Sequence, residues 1–527
     1  MYFVKLFAVI FVSGLLLSEV AVAKKKSLCH GENVETTRLF LQQLSDTRVI
    51  VKWRGESDKL CFGRKQNALK RLVYATTTEG NHKEAIIEGL KPRKTYYYSV
   101  GGASKAPQGQ SFTTSPKKGR LPRDRNTRIW IVGDSGTGTD EQPTHQGEAA
   151  AVRDGVMQYI DEQDGEPIDL FLMLGDNAYL SGSDYSYQQG VFNLYGDLMR
   201  GVATWSTIGN HEMGAADIDL CLIADRNGVP IAPCGTVVPN LPGVSISSDP
   251  YSWREPTSVA PTRAPYLDIF SFPTNGEVGG VASGTEQYYS FDYGNIHVVN
   301  LDSQLSARDE VQLATMRQWL VDDLSANTQD WTIVMFHHPP YSKGHNHDSD
   351  ETEHNMLDRP TWDMRNQFVP IFDDYGVDLV YSGHAHSYER SYYLNNHTGL
   401  SETYSHGEHA ELVDGDVTKP ASGQGEESYA QLSPTSWGID NRVVYTVNGS
   451  SGKADSSAAP FEAWLLHPAH IVQAADTETP KRHGLAELGS VLVDVSKKSL
   501  TAKFIDVNGD VLDYFTITRG KSKRNRR

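Results

Sequence analysis

Leu170-Phe171-Leu172-Met173-Leu174-Gly175-Asp176-Asn177-Ala178-Tyr179 is an apolar run that stops at a glycine and then presents an acid, an amide and a phenol. Such a run, bounded by glycine, reads as a buried strand with its polar side chains gathered at the strand end. Four more blocks follow apolar stretches in the same way: Gly133-Asp134-Ser135-Gly136, Gly209-Asn210-His211-Glu212, Val334-Met335-Phe336-His337 and Gly383-His384-Ala385-His386. Strand ends from distant parts of a chain converge on one rim of a sheet. Asp134, Asp176, Tyr179, Asn210, His337, His384 and His386 are therefore candidates for one metal site. A dinuclear hydrolytic centre needs a bridging carboxylate, terminal ligands that hold two ions about 3.5 to 4 Å apart, and open positions for water and substrate. Taken singly the blocks are weak, because an Asp beside Gly is a common turn residue and Asn210 could cap a helix. His384 and His386, two apart on an extended segment, are expected to face the same side. The ordered set of five carries the reading.

Around these blocks the pattern alternates. Residues 128–132, 170–174, 331–336 and 377–381 read as strands, and 147–161, 310–324 and 367–375 as helices, the pattern of an α/β domain with sheets flanked by helices. Residues 490–495, 501–506 and 511–517 suggest an antiparallel meander with Asn508-Gly509 as a turn. Earlier in the chain, 38–41, 48–53, 84–87, 95–100 and 109–112 are short strands between Gly and Pro turns, which suggests a β-sandwich. The Pro-, Gly- and base-containing stretch 115–123 looks like a linker. The Pro- and Gly-rich region 213–287 is expected to form a long surface loop system.

With 527 residues the chain can hold more than one domain, and 39% hydrophobic and 22% charged residues are ordinary globular values. Residues 1–23 combine Lys5, an apolar run and Ala21-Val22-Ala23, which reads as a secretory signal peptide. That run is shorter than the roughly 20 residues a membrane-spanning helix needs, and no later segment is long and apolar enough. A secreted or periplasmic location follows. Four cysteines fit an oxidising compartment: three pairings are open, and proximity favours Cys29 with Cys61 and Cys221 with Cys234. The formal net charge of -17 opposes nonspecific nucleic-acid binding. The basic 521–527 reads as a solvated tail. Asn396-His397-Thr398 and Asn448-Gly449-Ser450 have the form of glycosylation acceptors.

The order GD-G, GDxxY, GNHE, VxxH and GHxH resembles the calcineurin-like metallophosphoesterases. The tyrosine three residues after Asp176 is similar to that of the purple acid phosphatases, where it is an iron(III) ligand. Residues 89–98 resemble a fibronectin type III signature, and 288–294 and 383–390 also look like the larger purple acid phosphatases. The resemblance implies a multidomain fold: a signal peptide (1–23), a fibronectin type III-like all-β sandwich (24–116) and a linker (117–126). An α/β metallophosphoesterase domain of two packed mixed sheets flanked by helices, with its C-terminal meander, would follow (127–520), then the tail (521–527). Carried over residue by residue, it implies that Asp134, Tyr179 and His386 hold iron(III), that Asp176 bridges, and that Asn210, His337 and His384 hold a divalent ion, Zn, Fe(II) or Mn. Hard phenolate and carboxylate donors suit the trivalent ion, and imidazole and amide oxygen the divalent one. Two such ions leave the site positive in an acidic chain, as a phosphate requires.

The implied activity is a secreted acid phosphatase that hydrolyses small phosphate monoesters to an alcohol and inorganic phosphate, with a metal-bound hydroxide as nucleophile. His211 matches the family histidine beside the substrate, where it would stabilise the phosphate or protonate the leaving group. A second histidine comes from the loop after His337. His347 lies at the matching distance, although the local sequence departs from the plant pattern and His345 is an alternative. Two other readings stand beside this one: a phosphodiesterase of the same superfamily, and a non-catalytic extracellular binding protein. The oligomeric state is open.

Overall fold

The computed structural model describes residues 28–140, 143–180, 182–213, 218–219, 237–238, 265–304, 310–344, 347–350, 359–431, 441–454, 467–471 and 484–519. The expected signal peptide, the pairing of Cys221 with Cys234, His345 and the basic tail lie outside the described residues.

The N-terminal region is strand-rich: β1 (Thr37–Gln42), β2 (Arg48–Arg54), β3 (Lys59–Gly63), β4 (Arg71–Tyr74), β5 (Thr76–Thr77), β6 (Lys83–Glu88), β7 (Thr95–Val100) and β8 (Ser111–Thr113). β3, β4 and β5 are additions to the expected strands; Lys59, Arg64 and Arg71 mask the apolar runs of the first two, and β5 has only two residues. β1-β2-β6-β5 and β4-β3-β7-β8 form two sheets. Between them alternate side chains such as Val49, Val51 and Trp53 of β2 meet Phe62, Tyr98 and Phe112. A period of two puts one face of each strand inside. Cys29 is disulfide-bonded to Cys61 of β3, one of the pairings the sequence left open.

The rest of the chain forms a mixed α/β domain. Its elements are β9 (Thr127–Val132), α1 (Glu148–Gln163), β10 (Leu170–Met173), β11 (Ala203–Ser206), β12 (Tyr289–Tyr293), β13 (Ile296–Asn300), α2 (Glu310–Ala326), β14 (Trp331–Met335) and β15 (Leu379–Ser382). They continue with β16 (Tyr388–Arg390), β17 (Tyr429–Gln431), β18 (Val444–Asn448) and the meander β19 (Gly489–Val495), β20 (Ser499–Asp506) and β21 (Val511–Arg519). One sheet has the order β12-β13-β14-β15-β18-β16, with β13 to β18 parallel. The other runs β17-β21-β20-β19-β9-β10-β11 and then continues through β1 into the N-terminal sheet, with Leu41 of β1 paired in parallel with Ala203 of β11.

The two sheets pack face to face. Trp331, Ile333 and Met335 of β14 enter the core between the sheets, while Val334 and Phe336 enter a second core with Leu313, Met316 and Leu320 of α2. Burial on both faces is why the parallel strands read as unbroken apolar runs. One expectation changes here. Residues 265–272 are not surface loop, since Tyr266, Ile269, Phe270 and Phe272 are buried in the core between the sheets. Their aromatic rings stack on one another and on Tyr289.

Candidate metal centre

β9, β10, β11, β14 and β15 all point their C-terminal ends to one side, and Asp134, Asp176, Asn210, His337 and His384 each follow one of those ends within a few residues. Brought to that rim, the seven sequence-derived ligands form two overlapping sets. In the first, the Tyr179 hydroxyl lies 2.9 Å from Asp134 Oδ1, 3.1 Å from Asp176 Oδ2 and 3.2 Å from His386 Nε2. In the second, Asn210 Oδ1 lies 3.0 Å from His337 Nε2 and 3.1 Å from His384 Nδ1, with His337 Nε2 3.5 Å from Asp176 Oδ2. Asp176 Oδ2 thus stands between the two sets. Asp134, Asp176 and His337 also have their donor atoms close enough together to share an ion.

Hydrogen bonds aim these donors. His337 Nδ1 faces the Leu174 carbonyl at 2.9 Å, which turns Nε2 toward the site. Asp176 Oδ1 accepts from the His211 N–H at 2.8 Å, and Asp134 Oδ2 from the His384 N–H at 2.7 Å, so each carboxylate keeps one oxygen for the centre. Three of these candidate ligands take left-handed backbone conformations, with φ of 53° at Asp134, 51° at Asp176 and 71° at His384. Such conformations are uncommon for residues other than glycine and gather at functional sites. The bend at His384 corrects the expectation for the GHxH block. Strand alternation does not apply there, and His384 and His386 face different donor sets.

The motif glycines exist for close approach. A Cβ on Gly209 would stand 2.2 Å from Asp176 Oδ1, and one on Gly383 would stand 2.3 Å from Asp134 Oδ2. Glu212, last of its block, is buried and ties the loops together. Its carboxylate accepts from the N–H groups of Gly209 at 2.6 Å, Asp176 at 2.9 Å and Asn177 at 2.7 Å.

The electrostatics suit cations. Burial, with Asp134 and Asp176 alongside, pushes the Tyr179 phenol well above its usual range. Burial disfavours charge on His337, yet Asp176 and Asp134 outweigh it and push the imidazole up to about 9. Carboxylates packed this closely draw positive charge to themselves, and a metal ion supplies it while releasing the protons. Burial in turn opposes charge on Asp176, but His337 and His211 hold its carboxyl well below the usual range. The donor set fits two ions.

His211 sits against this centre, its ring centroid 4.3 Å from that of Tyr179 and its Nε2 3.8 Å from Asp176 Oδ2. Its Nδ1 faces the Leu180 carbonyl at 2.6 Å. His347 reaches the site from its loop, its ring 3.7 Å from that of His384. His338, next to a ligand and grouped with His337 and His384, is satisfied elsewhere: Nδ1 lies 2.8 Å from Ser303 Oγ, and Nε2 3.2 Å from the Gln304 amide. Sequence reasoning missed Lys453, whose ammonium lies 4.1 Å from the Tyr179 ring centroid, a cation–π contact that no motif signals. The structure also separates the two glycosylation triplets. Asn448 is buried, donating to the Ile131 carbonyl at 3.0 Å, whereas Asn396 is exposed.

A family model of calcineurin-like phosphoesterases matches residues 127–388. "Probable purple acid phosphatase 20" of Arabidopsis thaliana is 24% identical over 331 residues, 60% of this chain and 57% of the relative. "Purple acid phosphatase 18" of the same plant is 33% identical over 119 residues, 22% of this chain and 24% of the relative. The matches thus span less than two thirds of either relative. Among solved structures, a purple acid phosphatase from yellow lupin (Lupinus luteus) seeds shares the fold with a TM-score of 0.59 and 17% identity, covering 92% of this chain and 75% of that one. Residues 127–388 are therefore a calcineurin-like phosphoesterase domain, and the relatives and the solved fold that the chain matches are purple acid phosphatases.

Proposed function

We propose that the chain is a dinuclear-metal acid phosphatase that releases inorganic phosphate from small phosphate monoesters. Asp134, Tyr179 and His386 hold iron(III) in this reading, Asn210, His337 and His384 hold a divalent ion, and Asp176 bridges. The observation that carries it is the position of Asp176 Oδ2, 3.1 Å from the Tyr179 hydroxyl and 3.5 Å from His337 Nε2. Bound ions would neutralise phosphoryl oxygens and activate water. The protein's own groups do the rest. His211, fixed through Nδ1 by the Leu180 carbonyl, keeps Nε2 3.8 Å from Asp176 Oδ2, and His347 stands beside His384, so both imidazoles border the centre where a leaving group would need a proton. Burial works against a charged His211 and Asp176 favours one, so acid conditions supply the proton this imidazole gives to a departing alkoxide. The strand order β1-β2-β6 facing β4-β3-β7-β8 supports reading residues 24–116 as a fibronectin type III-like domain. Residues 1–23 would direct secretion, and among the described residues no helix is long and apolar enough to cross a membrane.

The test is metal analysis with a visible spectrum of purified protein, before and after Tyr179→Phe, alongside turnover of a monoester and a diester. The expected result is iron with one divalent ion, a visible band lost in the variant, and turnover favouring the monoester. A protein without iron, or a band that survives loss of the phenol, overturns the iron–tyrosinate assignment. Preference for the diester overturns the monoester reading.

A further inference from the structure

Far from the metal ligands in sequence, the N-terminal sheets carry a groove of about 510 Å3 lined by Arg64, Lys65, Lys70, Arg71 and Lys91, with no acidic residue among its lining. All five side chains are exposed, and none is ion-paired to a carboxylate among the described residues. Five like charges in one groove repel one another, and in a chain of net charge -17 acidic partners were plentiful. Elsewhere in the same region arginines are paired: Arg38 and Arg54 share Asp184.

The two guanidinium groups are also fixed in place. Arg64 donates from Nε to the Thr95 carbonyl at 2.9 Å and lies 5.2 Å over the Tyr96 ring. Arg71 donates to the Glu88 carbonyl at 3.3 Å and lies 4.4 Å over the Phe62 ring. Both rings are buried, and the disulfide from Cys29 to Cys61 anchors the strand that presents Phe62. A solvated basic patch has no need of such order. Guanidinium forks held this way have already lost the rotamer freedom that binding would otherwise cost, and their planar donors match tetrahedral oxyanions.

We infer that this groove is an anion-recognition site, distinct from the metal centre, for a compact ligand that presents several phosphate or sulfate groups. Five cations exceed what a single oxyanion needs, and the volume suits a small ring rather than a bare ion. The strongly acidic remainder of the chain disfavours a long polyanion that would extend past the groove.

Titration calorimetry on the intact protein tests this with sucrose octasulfate and inositol hexakisphosphate as separate probes. Tighter binding of the first identifies a sulfated saccharide source, and of the second a phosphorylated polyol. At least one should bind, with affinity falling steeply with salt and at least about tenfold in Arg64→Glu/Arg71→Glu. A second variant, Lys65→Glu/Lys91→Glu, alters only exposed side chains and guards against a folding defect in the first. Turnover of p-nitrophenyl phosphate should stay within about twofold in both variants, because loss of groove binding leaves the metal ligands untouched. The inference is overturned if neither probe binds at millimolar concentration or if both variants bind as the parent does. It is equally overturned if a single-stranded oligonucleotide binds as tightly as the compact probes.

Discussion

Glu212 shows how much a single residue outside the ligand set can decide. Three backbone N–H groups and the Tyr187 hydroxyl converge on its carboxylate, and two of those N–H groups belong to the loop that presents Asp176. Glu212→Gln keeps the shape but replaces an acceptor oxygen with an NH2 that would face backbone donors. Loss of a group that orients metal ligands typically costs 10–100-fold in metal affinity, and about that loss is expected for both ions, measured by equilibrium dialysis. Unchanged affinity would mean the loops hold their shape without it. At this scale the sequence was informative, because each candidate ligand carries its chemistry in its residue type. What it could not show was direction: the left-handed turn at His384 is set by contacts with Asp134, 250 positions away.

At the scale of elements, a buried ion triad joins the β12–β13 hairpin to α2. His297 Nδ1 lies 2.9 Å from Asp292 and Nε2 2.8 Å from Asp323. Burial disfavours its charge, but hydrogen bonds to the two carboxylates outweigh that and push the imidazole up to about 9. An unfolded histidine titrates near 6.5, so the triad stabilises the fold fully below that pH and the contribution is lost as pH rises through about 9. Urea unfolding between pH 6 and 10 should show this alkaline decline. His297→Gln should abolish it and cost about 3 kcal/mol at pH 6. The loop carrying His347 is an element of another kind. Its far end is clamped by buried Arg365, which donates to Ser349 Oγ and to Asp350 Oδ1, both at 2.9 Å. Arg365→Lys keeps the charge but loses the fork, and is expected to lower kcat about tenfold with metal content unchanged. A loss of bound metal instead would place the fault in the centre itself. None of these cross-element partners has a spacing in the sequence that announces it.

Over the whole molecule, the strand-rich N-terminal region is joined to the phosphoesterase domain rather than tethered to it. β1 extends the β9–β11 sheet, and Arg38 and Arg54 grip Asp184, a few residues beyond Tyr179. Asp184→Ala would leave Arg38 buried without its carboxylate. After allowance for the 47% exposure of the Asp184 side chain, about 2 kcal/mol of destabilisation is expected from denaturant unfolding. His82 lies at the same junction. Burial, reinforced by Lys52, Arg54 and Arg38, lowers its imidazole to about 3. The folded chain resists a proton that the unfolded chain accepts near 6.5, so this contribution is present above 6.5 and falls as pH drops toward 3. A thermal midpoint that declines between pH 6 and 4, and declines less in His82→Gln, is the expected outcome.

Seven candidate donors of four residue types, set at the ends of apolar runs in an order that marks the domain type, were legible in the chain, because residue identity and local period survive in one dimension. Tertiary structure alone decided the rest. It set which donors share Asp176 Oδ2 and sent His384 and His386 to different sides. It buried Asn448 of one glycosylation triplet and exposed Asn396 of the other, and it gathered five cations from β4, the β3–β4 turn and the β6–β7 turn into one groove. Each of these depends on which strands lie side by side and how loops close between them, and pairings across hundreds of residues leave no trace in local sequence pattern.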